Sequence, residues 1–111
     1  MANVVRGYFK DYHSLTIQGW MINRLGLSGN RLLVYAAIYQ YSSMGTSEFS
    51  GGEYALASLC TASLDTIRVI LNELAEKRLI YISEIEFKGK KHRTYKTNFK
   101  KVYACLQKEV E

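Results

Sequence analysis

The sequence predicts an α+β fold, mainly helical: a three-helix core with a β-hairpin and extra helices toward both ends. Three observations predict it. Two helix-start signals stand close together, at Ser50 and Ser63. The apolar period changes from helical to alternating after Lys77-Arg78. Residues 88–101 then crowd together Lys88, Lys90, Lys91, Arg93, Lys96, Lys100 and Lys101 around Gly89, with no acid among them.

Size and composition bound the answer. With 111 residues, 48% of them hydrophobic and 23% charged, the chain can bury a core and is too apolar for a disordered segment. We read residues 1–111 as one domain, with 17–98 as its centre, 1–16 as an arm and 99–111 as a terminal helix. The longest apolar runs, such as Leu32 to Tyr39, are far shorter than a membrane span, and the opening MANVVRGYFKDYHS lacks the apolar stretch of a secretory signal. Cys60 and Cys105 have no metal-ligand or CxxC spacing and read as small apolar fillers in a reducing cytoplasm. A cytoplasmic, nucleoid-associated protein is expected.

The elements follow in order. Tyr8, Phe9 and Tyr12 are too aromatic for a free tail and should pack on the body or on a second subunit. Ile17 to Leu25 carries Ile17, Trp20, Met21 and Leu25 at helical spacing, and Gly26 supplies a stop. Ser28 is an N-cap for a helix through about Ser42, with Leu27 and Leu32 as a hydrophobic staple and Leu32, Leu33, Ala36, Ala37 and Tyr39 on its apolar face. Ser50-Gly51-Gly52-Glu53 is a capping box flanked by Phe49 and Tyr54, and it opens a helix from Gly51 to about Leu59. Ser63 caps the next helix, whose buried stripe is Ile67, Ile70, Leu71 and Leu74 and whose outer face shows Asp65, Thr66, Arg68, Val69, Asn72 and Glu73. Leu79, Tyr81, Ser83, Ile85 and Phe87 share one face of a strand, while Ile80, Ile82, Glu84 and Glu86 share the other. That strand should be buried on both faces at its root. Gly89 serves the turn, Thr94 to Asn98 returns, and Thr46 to Phe49 is a candidate short first strand. Phe99, Val102, Tyr103, Leu106 and Val110 make a stripe on the C-terminal helix.

Helix, turn, helix and basic hairpin in this order is the layout of a winged helix-turn-helix, the hairpin being the wing. The cationic segment is worth +7 within a total of +5, so the rest of the chain sums to −2 and the positive charge is local. A local cationic patch beside such a helix pair points to a polyanion, with a solvated surface loop as the plainer reading of the charge alone, and the layout makes double-stranded DNA the leading expectation. The helix capped by Ser63 would enter the major groove. There the Ser63 and Thr66 hydroxyls, Arg68, Val69 and Asn72 can meet phosphate or bases, and Asp65 can accept from cytosine. Each has a plainer role as well: Ser63 and Thr66 serve as caps, Asp65 complements the helix dipole, and Val69 can be partly core. With Ser50, the amides of Gly51 and Gly52 at a helix start offer a phosphate contact. On the wing, Lys88, Lys90, Lys91, His92, Arg93 and Lys96 would contact phosphates or the minor groove.

Catalysis is not expected. His13 and His92 are far apart and neither has a neighbouring nucleophile or carboxylate cluster. No nucleotide loop or metal-ligand spacing is present, so neither a cofactor, a metal nor a small-molecule ligand is expected.

Two stretches resemble known families. Trp20-Met21, Leu25-Gly26-Leu27-Ser28-Gly29-Asn30 and Leu32-Leu33-Val34-Tyr35-Ala36 resemble the opening of helix-turn-helix proteins of phages, plasmids and integrative elements of Firmicutes. Phe49-Ser50-Gly51, Tyr54, Ala57, Ser63, Thr66-Ile67, Leu71, Leu74, Glu76-Lys77 and Leu79-Ile80 are similar to the wider winged-helix pattern of replication initiators, replisome organisers and transcription factors. The resemblance covers residues 17–98. It implies a DNA-binding module with the Ser63-capped helix as recognition helix and Arg68 near the DNA, acting as a transcriptional regulator or a replication accessory of a mobile element.

A rival of a different class is a protein-interaction module that docks a partner on the same surface, favoured by Leu64, Asp65 and Glu73 on the nominal recognition face. The nine tyrosines and Trp20 exceed what the core needs, which predicts a homodimer contact through the terminal segments. If about four to six wing cations engage phosphate, log affinity for duplex DNA should fall with log salt at a slope of about −4 to −5, read from a salt titration.

Overall fold

The structure, a computed structural model, describes residues 14–42, 49–50 and 52–110. In chain order its elements are α1 (Gly19–Asn23), α2 (Gly29–Ser42), α3 (Gly52–Cys60), α4 (Leu64–Glu76), β1 (Ile80–Phe87), β2 (Lys90–Thr97) and α5 (Phe99–Val110). The architecture is α+β and mainly helical, with one antiparallel hairpin. The expected roles of Tyr8, Phe9, Tyr12, residues 46–48 and Gly51, and of the Phe87, Cys105 and Val110 side chains, lie outside the described residues. No single helix among the described residues is long and apolar enough to cross a membrane.

Helix α2 is the centre of the core. Five successive residues, Val34, Tyr35, Ala36, Ala37 and Ile38, are fully buried. A helix lying on a surface buries one stripe, so α2 is enclosed and its apolar surface is wider than the face expected from sequence. Around it pack α1, α3, α4 and β2. Helix α1 is shorter than Ile17 to Leu25, because Gln18 is extended at φ −101° and Gly26 turns the chain at φ +69°. Trp20 and Met21 are its buried residues.

The turn between α3 and α4 spans three residues and bends the pair by 104°. Its geometry is a Schellman cap. The Ala62 amide donates to Ala57 O at 3.0 Å and the Thr61 amide to Ser58 O at 3.3 Å, with Thr61 left-handed at φ +52°. Ser63 then caps α4, its Oγ accepting from the Thr66 amide at 3.1 Å. The α4 stripe Ile67, Ile70, Leu71 and Leu74 is buried as its spacing predicts. A second Schellman cap ends α4, with Arg78 left-handed at φ +62° and the Leu79 amide donating to Leu74 O at 2.9 Å.

The hairpin register pairs Ile80 with Thr97, Ile82 with Tyr95, Glu84 with Arg93 and Glu86 with Lys91. Lys88 and Gly89 close it with two left-handed residues, φ +52° and +76°, the arrangement that matches strand twist in a two-residue turn. The strand is buried on both faces at its root, at Leu79 and Ile80, as expected. Beyond the root Ile82 is half-buried, whereas Tyr81 and Ile85 on the opposite face are exposed, so burial on the Leu79 face ends with that residue. Phe49 forms one isolated bridge to Tyr95, the described end of the candidate first strand.

Buried polar groups lock the hairpin root to α2. The Thr97 amide donates to Ser42 Oγ at 3.2 Å, Ser42 Oγ donates to Ile38 O at 2.7 Å, and the Tyr35 and Thr97 hydroxyls meet at 2.8 Å. Asn98 follows, donating through Nδ2 to Arg78 O at 2.8 Å and standing just ahead of α5. Within α5, Val102 is buried but Tyr103 is exposed, so the expected apolar stripe reaches the core through part of its length.

Two stability outcomes follow. Tyr35→Phe, which strips a buried hydroxyl from Thr97, should cost about 1 to 2 kcal/mol in urea unfolding. Thr61→Gly, which relieves a β-branched residue in the left-handed region, should raise stability by about 0.5 to 1 kcal/mol in the same assay.

Candidate functional site

Between the start of α3, the outer face of α4 and the hairpin lies an open cleft of about 980 Å³. Ser50, Gly52, Glu53 and Tyr54 line one wall, Arg68 and Asn72 the floor, and Glu84, Ile85, Lys91, His92, Arg93, Thr94 and Tyr95 the hairpin wall. The fold therefore gathers Ser50, Arg68, Asn72, Lys91, His92 and Arg93 from the sequence-predicted set around one space. Asp65, Thr66 and Val69 are exposed on α4, and Lys88, Lys90 and Lys96 are carried by the hairpin outside the cleft lining. Lys88, Lys90, Lys91, His92 and Arg93 all reach solvent, while Lys96 is half-buried.

Several of these side chains have assigned partners. Ser63 is committed to capping, and its Oγ also donates to Thr66 Oγ1 at 3.0 Å. Arg68 points outward, 51% exposed, but is not idle as its sequence context suggested. Its Nε donates to Glu53 Oε1 at 3.0 Å, and its Nη1 lies 3.7 Å from Asp65 Oδ1. One oxygen of Glu53, assigned from sequence to a capping box, is thus engaged across the helix pair. Helix α3 itself opens at Gly52 with φ +82°, one residue later than that box places it.

The strand register sorts the hairpin charges. Side chains alternate across a strand, so Glu84, Glu86, Lys91 and Arg93 share the face that carries Ile80 and Tyr95. Arg93 Nε lies 3.9 Å from Glu84 Oε2, and Lys91 stands opposite Glu86. Lys90, His92 and Lys96 share the opposite face with exposed Tyr81 and Ile85. Two of the hairpin cations are therefore opposed by carboxylates, which sequence charge counting along one strand does not register.

Two further features bear on the site. Arg31 on α2 grips Glu73 on α4 through both carboxylate oxygens, at 2.6 and 3.1 Å, fixing α4 in its seat. That hydrogen bond holds the Glu73 carboxyl below its ordinary range, against the opposing effect of desolvation. Tyr95 is fully buried on the cleft wall, and burial together with nearby Glu53 pushes its phenol upward. Arg93, which approaches the phenol, and Arg68 work the other way, yet no atom among the described residues meets the Tyr95 hydroxyl at full hydrogen-bonding geometry.

Sequence reasoning missed Glu53, Tyr54, Glu84, Ile85 and Tyr95 as parts of this surface. The Glu53–Arg68 pair spans fifteen positions and two helices, outside any helical i,i+4 pattern. The strand spacing of Glu84 and Glu86 was the available signal for the hairpin pairs. No protein-family model matches the chain, and no curated protein matches its sequence.

Glu73 is more acidic folded than unfolded, so its contribution is complete above the ordinary carboxylate range and is lost as pH falls through the lowered folded value. The stability gap between the native chain and Glu73→Gln should therefore close in thermal melts as pH falls below the ordinary glutamate value of about 4.3. Tyr95→Phe should leave stability unchanged or slightly higher, because it removes a buried hydroxyl that has no partner.

Proposed function

We propose that this chain is a winged helix-turn-helix protein that binds duplex DNA, acting as a transcriptional regulator or replication accessory of a mobile element. The observation that carries this reading is the exposed outer face of α4 standing beside a cationic hairpin across an open cleft. A helix pair bent by 104° over a three-residue turn falls in the range of DNA-binding helix-turn-helix units. In this reading α4 enters the major groove with Thr66, Arg68, Val69 and Asn72 toward base edges and phosphates. The hairpin reaches the adjoining backbone or minor groove through Lys88, Lys90, Lys91, His92, Arg93 and Lys96. Phe49, with its single bridge to Tyr95, stands for the first strand of such a sheet. Exposed Tyr103 on α5 supports a homodimer contact through the terminal segments, which would address half-sites about one DNA turn apart.

A second reading is that the same surface docks a protein. Exposed Tyr54, Val69 and Ile85, together with the carboxylates on Arg68, favour it. The two readings differ in their response to ionic strength. Lys91 and Arg93 face Glu86 and Glu84, so the slope of log affinity against log salt should be shallower than the about −4 to −5 of an unopposed hairpin. Replacing Lys90 and Lys91 together by Glu should abolish duplex binding in a fluorescence-anisotropy titration at low salt. Equal, weak, salt-insensitive association with duplex, single strand and the charge-reversed variant would instead sink the DNA reading.

A further inference from the structure

Arg68 already holds an anion. Its Nε donates to Glu53 Oε1 at 3.0 Å, Asp65 lies 3.7 Å from Nη1, and the guanidinium opens onto the cleft between α4 and the hairpin. A phosphodiester entering that cleft would present to Arg68 the same pair of planar-accessible oxygens that a carboxylate presents. We propose, resting on the DNA-binding reading above, that Glu53 is an intramolecular stand-in for DNA phosphate. It restrains Arg68 in the unbound protein, and duplex binding exchanges the carboxylate for a phosphate.

Three observations converge on this exchange. Glu53 and Arg68 come from different helices, so the contact helps neither helix to form and is made only when the cleft is assembled. The two groups differ in exposure, 19% for Glu53 and 51% for Arg68, so the guanidinium can swing outward while the carboxylate stays in the wall. The Tyr95 hydroxyl, fully buried and without a hydrogen-bond partner among the described residues, is near enough to Glu53 for the carboxylate to push its phenol upward. Exchange of one anion for another lowers net affinity and discriminates against weak polyanions, since phosphate must outcompete a tethered carboxylate.

The test uses the full chain and a labelled mixed-sequence duplex two helical turns long, titrated by anisotropy across about 50 to 200 mM salt. Glu53→Gln should bind about two- to fivefold tighter, the range expected for freeing a half-exposed ion pair. Its salt slope should steepen by up to about one unit, because Arg68 then releases a counterion with no carboxylate to take one up. In an Arg68→Ala background the same substitution should produce no gain. Asp65→Asn, at a side chain 95% exposed, should give a smaller gain that also disappears with Arg68→Ala. A gain of equal size in both backgrounds would reveal bulk charge removal and overturn the exchange, as would unchanged or weaker binding by Glu53→Gln. If the native chain binds duplex with a salt slope and only the gain is missing, the exchange alone falls. If no variant binds duplex at the lowest salt, the DNA reading falls and takes the exchange with it.

Discussion

The hairpin can act as an arm only because its root is anchored, and the anchor is Thr97. Its amide is a buried donor that must find an acceptor, and Ser42 Oγ supplies one from the end of α2. Its hydroxyl meets Tyr35 from the middle of the same helix. Every one of these groups is out of water, where an unmet donor costs far more than a met one gains. The neighbouring Asn98 extends the anchor to the end of α4 through Arg78 O and Leu79 O. Two adjacent residues thereby bind the hairpin to the enclosed central helix and to the helix that borders the cleft.

From that anchor the rest of the surface follows. With α4 seated by its buried Ile67, Ile70, Leu71 and Leu74 and the hairpin held by Thr97, the distance across the cleft is set by the core rather than by the groups that line it. Charge is then distributed by strand alternation. Acids and bases face each other on the side toward the helices, and cations stand with tyrosine and isoleucine on the other. The chain's basic character is accordingly directional, even though the total is only +5.

Much of this fold was legible in the sequence because local signals and burial agreed. Ser63 caps α4, its four-residue stripe is buried, Gly26 stops α1, and the period change after Arg78 does mark a strand. The element order also put the outer face of α4 next to the hairpin, and Arg68, Asn72, Lys91, His92 and Arg93 line the cleft between them. What escaped was tertiary. Nothing in the spacing of Val34 to Ile38 says that a helix is covered from every side, and the length of α1 was set by an extended Gln18 with no breaker before it. The commitments of Arg68 and Glu53 escaped for the same reason, since each is satisfied by a residue from another helix. How far burial runs along the Tyr81 face was not legible, because an apolar residue in a strand shows only that it tolerates burial, not that anything is there to cover it.

The turn at Lys88-Gly89 governs more than the bend it makes. Sliding β2 by a single position against β1 would swap its two sides, sending Tyr95 and Thr97 into water and Lys90, His92 and Lys96 against the helices. Two consecutive left-handed residues admit one connection length, so the outermost point of the arm dictates phase for the whole ribbon. A ribbon that zips inward from its tip arrives at α2 with Thr97 already facing Ser42. The two exposed residues at the tip of the hairpin therefore act as the keeper of its innermost alignment.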